Sequence, residues 1–187
     1  MSLILQTAAV ALPVTLAEAR LHLRVDSTTE DALITALLGA ATLDAEHITG
    51  RALMPQKWQL TVDSFAHCLD LQRAATAVDS VIYVAVGGTP TTLANTVYQF
   101  VGLSDYRARV VLAYGQSWPD IQTQPEAVRV LFSCGYANAA AVPEPVKAWI
   151  KLRVGALFEN RQSVTDLPTH ALGMADSLLD RYRVWSA

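Results

Sequence analysis

Residues 142–161 read VPEPVKAWIKLRVGALFENR, and this stretch decides the fold. Pro143 and Pro145 fall in or just before a first helical turn, where the backbone N–H groups have no intrahelical partner and proline costs little. Val146, Trp149, Ile150, Val154, Leu157 and Phe158 then recur at three- and four-residue steps, which is one apolar face of a 3.6-residue period. Lys147, Lys151 and Glu159 fall largely on the opposite side. The spacing predicts a helix over 143–162, about 30 Å long at 1.5 Å per residue. So long an apolar face needs more than one helical partner.

Upstream, Thr15-Leu16-Ala17-Glu18 has the pattern of a capping box and predicts a short helix to about Arg24, with Leu16, Ala19 and Leu23 on one side. Ser27 to Glu30 repeats the pattern and predicts a second helix over 29–49, with Leu33, Ala36, Leu37, Ala40, Ala41 and Ile48 as its apolar face. Gly50 supplies its stop. Residues 1–14 carry few charges and read as an extended arm.

From Met54 the period changes. Trp58, Leu60 and Val62 alternate with polar neighbours, as in a half-buried strand. Further strands are expected at 68–71, 81–86, 96–101, 107–113 and 127–134, with Gly87-Gly88, a 102–105 loop, the Gly115–Pro119 loop and Gly135 as punctuation. A last helix is expected over 170–183, after a loop through Pro168. The expected class is α+β: a mainly helical bundle of two N-terminal and two C-terminal helices with an inserted antiparallel β-module. The expected divisions are 1–53 for the arm and first helices, 54–136 for the β-module and 137–187 for the completing helices.

The chain is 187 residues long, 52% hydrophobic and 17% charged, which supplies a core and leaves apolar surface over for a subunit interface. A net charge of −3 argues against a dedicated nucleic-acid binder. No window approaches the length of an apolar membrane span, and the N-terminus lacks the basic region of a signal peptide. Cys68 and Cys134 are expected as free buried thiols, with a pair between them as the alternative.

No catalytic motif is found, so no catalytic residue, cofactor or metal is assigned. His22, His47, His67 and His170 are too scattered for a ligand set. Asp44 and His47 are spaced to pair on one helix, and Arg20 and Arg24 to bridge to Asp26 or Glu30. Trp118 is expected to plug its loop onto the core or an interface. Interface candidates are Trp118, Lys147, Trp149, Lys151 and Arg161, with both lysines on an exposed face. A small enzyme using Asp63, His67 or Asp70 beside the Trp118 loop is the alternative chemistry.

Several segments, taken in order, resemble the gp6-like head–tail connector (head-completion adaptor) proteins of tailed bacteriophages and prophages. They are Leu16–Ala19, His22–Asp26, Glu30–Ile34, Thr49–Leu53, Trp58–Leu60, Tyr114–Pro119, Gly135-Tyr136, Val142–Lys147 and Glu159–Arg161. Residues 63–80 and 86–105 fit the pattern only loosely. The resemblance implies a structural, non-enzymatic subunit of a ring of about a dozen copies below the portal, on which the next adaptor or the tail docks. It implies DNA passing through the ring's channel, and a place at the head–tail junction of the virion after synthesis in the host cytoplasm. Another phage interaction protein, such as a tail terminator or second adaptor, is the alternative.

Overall fold

The computed structural model describes residues 1–104, 107–160 and 173–184. In chain order the elements are β1 (Ser2–Thr7), α1 (Leu16–Leu23), α2 (Asp31–Thr49), β2 (Gln56–Val62), β3 (Cys68–Leu71) and β4 (Ala75–Val84). There follow β5 (Pro90–Thr92), β6 (Tyr98–Ser104), β7 (Arg107–Leu112), β8 (Val128–Cys134), α3 (Glu144–Glu159) and α4 (Gly173–Asp180). The class is α+β. Strand and helix contribute about equally among the described residues, so the molecule is not the mainly helical one expected. The chain divides into two compact units, one of residues 1–9 and 55–135, the other of residues 10–54 and 136–187.

The β unit holds two antiparallel sheets, ordered β1-β2-β8-β4-β5 and β3-β7-β6. β8 is the central strand of the larger sheet. Its Phe132 lies opposite Trp58 of β2 and Val78 of β4, and its Val130 opposite Leu60 and Val81. Phe132, Val130, Val128, Leu60 and Val81 are fully buried, which is the alternation expected of a sheet with one apolar face. The arm grouped with the helices from sequence is β1, an edge strand on β2. Its weak alternation in an uncharged segment left the pairing unread. Strand β5 was also missed, and β6 runs through the expected 102–105 loop to Ser104.

Between β3 and β4 the chain passes from one sheet to the other through Arg73 and Ala74, both left-handed at φ 62° and 54°. Successive left-handed residues suit Asn-Gly better than Arg-Ala, since a Cβ costs roughly 1–2 kcal/mol there. The Arg73 guanidinium lies 4.7 Å over the Trp58 ring, a cation–π contact that offsets part of this cost. Ala74→Gly is therefore expected to raise stability by about 0.5–1 kcal/mol, read as a higher urea midpoint at unchanged m.

In the helical unit α2 packs against α1, α3 and α4. The capping box at α1 is present: the Thr15 hydroxyl and backbone N–H each donate to Glu18 Oε2 at 2.7 Å, and Glu18 N–H donates to Thr15 Oγ1 at 3.2 Å. The Thr15 hydroxyl first, and its amide second, hold the Glu18 carboxyl below its ordinary value of 4.5. A lowered folded value means this support is present above the ordinary range and is lost as pH falls through the folded pKa. The second cap is not formed: Ser27 Oγ accepts from Thr29 N–H at 3.1 Å, and α2 starts at Asp31.

The buried face of α2 also differs from the expected one. It is Ile34, Leu38, Ala41, Thr42, Ala45, Glu46 and Thr49. The polar members are satisfied locally: the Thr42 and Thr49 hydroxyls donate to the Leu38 and Ala45 carbonyls at 2.7 Å, and Glu46 Oε1 accepts the Leu53 amide at 2.7 Å. Polar residues that find partners within the unit can be buried. The outward face consequently carries Leu33, Ala36, Ala40 and Leu43. Helix α3 buries Val146, Trp149, Ile150 and Val154 as its period predicts.

Candidate functional site

Two of the segments quoted for the resemblance, Thr49–Leu53 and Tyr136, meet inside the helical unit. After Gly50, left-handed at φ 69°, residues Arg51, Ala52, Leu53 and Met54 are all buried. Arg51 donates to the Tyr136 hydroxyl at 3.0 Å, joining the segment after α2 to the one that leads into α3. The Val184 amide donates to the Thr49 carbonyl at 2.7 Å and ties the chain after α4 to the same corner. Thr49–Leu53 and Tyr136 are thus parts of one structural joint. Glu46 and Tyr136 as its partners were not read from the sequence. The buried polar positions near a glycine stop were the available signal.

Trp149 is 4% exposed, and its Nε1 donates to Asp176 Oδ1 of α4 at 3.2 Å. It belongs to the packing of α3 on α4. Lys147 is buried at 8% exposure and ion-paired with Glu144 one turn earlier, so the expected exposed lysine face is reduced to the half-buried Lys151. The long alkyl stem accounts for this, since it packs along apolar surface and carries the amine to the rim. Arg161 and the expected helix start at His170 lie outside the described residues.

Trp118 stacks on Phe65, with ring centroids 4.5 Å apart and planes at 2°, and Phe65 in turn lies 6.1 Å from Tyr83. The loop that carries it is pinned by Gln122, whose amide donates to the Val84 carbonyl at 2.9 Å and whose Oε1 accepts the Gly87 amide at 3.2 Å. Asp63 Oδ1 accepts the amide of Glu126, a left-handed residue at φ 58°, at 2.9 Å. The aromatic partner Phe65 was missed, because it lies in a segment with no period.

The alternative chemistry finds no convergence. Asp63 is engaged by the Glu126 amide, Asp70 lies opposite Arg109 in the β3–β7 ladder, and His67 is exposed. Among the described residues no three His, Cys, Asp or Glu side chains gather as a metal site. Asp44 does not pair with His47 as expected but takes Arg153 of α3, whose Nε and terminal nitrogen lie 3.1 Å from Asp44 Oδ2. Arg20 reaches the Asp26 carbonyl at 2.5 Å and the Asp31 carboxylate at 3.6 Å. Cys68 and Cys134 are not joined in a disulfide.

What the described surface does offer is apolar side chains in water. The helical unit exposes Leu21, Leu33, Leu43 and Leu152, and the β unit exposes Ile4, Leu5, Val86, Phe100, Leu103 and Tyr114. Scattered singly, such side chains are ordinary on a protein surface; they are the apolar groups open to contact with another protein.

Comparison with known proteins agrees. Residues 13–82 match the family model described as phage gp6-like head-tail connector protein. No curated protein matches the sequence. Similar solved structures include the neck of an empty gene transfer agent particle computed with C6 symmetry, at TM-score 0.81 and 25% identity. The virion of the native gene transfer agent particle and its neck computed with C12 symmetry each align at TM-score 0.80 and 25% identity. Each alignment covers 100% of this chain and 97% of the other. The resemblance read from the sequence is borne out.

Proposed function

We propose that this chain, which carries the gp6-like head–tail connector pattern, is a structural subunit of a connector ring between a DNA-filled head and a tail. The observation that carries the reading is the family match at 13–82 together with full-length similarity to chains of a particle neck. In this reading about a dozen copies close by rotation into a ring, dock below the portal and present a platform to the next adaptor or the tail. The twelvefold symmetry of a similar neck supports that number. The ring is part of the virion, and its subunits wait in the host cytoplasm before assembly. Its work is adhesion and passage rather than catalysis.

A net charge of −3 suits a channel through which DNA slides, because phosphates are gripped by clustered Lys and Arg. Trp149 and Lys147 are occupied inside the helical unit, so contacts to neighbouring proteins are assigned to the exposed Leu21, Leu43 and Leu152, with Lys151 and Arg161 as polar members. The test is co-elution of the purified chain with its cognate portal protein. Comigration as a defined complex is expected. A chain that stays monomeric at high concentration and never binds the portal would count against the connector reading.

A further inference from the structure

We draw no further inference here: the strongest candidate, the exposed leucines Leu21, Leu43 and Leu152 on α1, α2 and α3 of the helical unit, belongs to the contact surface already proposed, and nothing in the structure shows what covers it.

Discussion

Replacing Phe132 with alanine should cost about 3–5 kcal/mol, the range for removing a fully buried aromatic side chain without collapse of the site. Phe132 has no exposed surface and is the largest of the fully buried side chains among the described residues. It sits on β8, the central strand, which is hydrogen-bonded to β2 on one side and β4 on the other. A cavity there lies between β2, which pairs with β8 in unbroken register, and β4, whose pairing is irregular on both sides of Val78. Whole domains are stable by only about 5–15 kcal/mol, so the loss is a large share of the total. Urea denaturation followed by tryptophan fluorescence should show the drop, since Trp58 lies opposite Phe132. Phe132→Leu, which keeps most of the volume, should cost less than the alanine variant. A loss under about 1 kcal/mol for the alanine variant would mean that the core of the β unit lies elsewhere.

Trp149→Ala should cost a similar amount, again about 3–5 kcal/mol, and should act on the helical unit. Trp149 is buried, and its ring nitrogen is bonded to Asp176, so the variant loses both the packing of α3 on α4 and a hydrogen bond to a carboxylate. Trp149→Phe separates the two. It keeps most of the apolar volume and loses the hydrogen bond, for an expected cost of about 1.5–3 kcal/mol. A cycle with Asp176→Ala should return a coupling of about 0.5–3 kcal/mol between the two side chains. By residue type alone Trp149 is an interface candidate. If Trp149→Ala left stability unchanged and abolished portal binding, the interface role would be right and the packing role wrong.

How far the chain could be read before its structure depended on whether local pattern and tertiary demand agreed. They agree at α3, where the apolar face is buried as spaced, and at Thr15 and Glu18, whose reciprocal bonds are formed within one turn. They agree for β2, β7 and β8, and at the glycine stops, where Gly50 and Gly135 take positive φ. They part at α2. Counting apolar residues put Leu33 and Ala36 inward, but the unit buries Thr42, Glu46 and Thr49, whose polar groups are satisfied by nearby backbone. Burial of such residues depends on partners that periodicity does not see. They part again at β1, which is a strand only because β2 is there to pair with it.

The same limit applies to the functional surface. Lys147 and Trp149 stood out as residue types, yet both are taken up within the helical unit. The outward leucines of α1, α2 and α3 stood out only once their neighbours had been placed. Some of the segments quoted for the resemblance, by contrast, were legible as neighbours once placed: Thr49–Leu53 and Tyr136 meet in the helical unit. Arg51 reaching Tyr136 and Val184 reaching Thr49 hold together segments far apart in the chain.

The most direct test of the connector role is electron microscopy of the purified chain mixed with its cognate portal protein. A closed ring of this chain seated on one face of the portal, with rotational symmetry of about twelve and an open axial channel, is the result predicted. Portal particles with no added density, at protein concentrations where the chain is intact and folded, would contradict it.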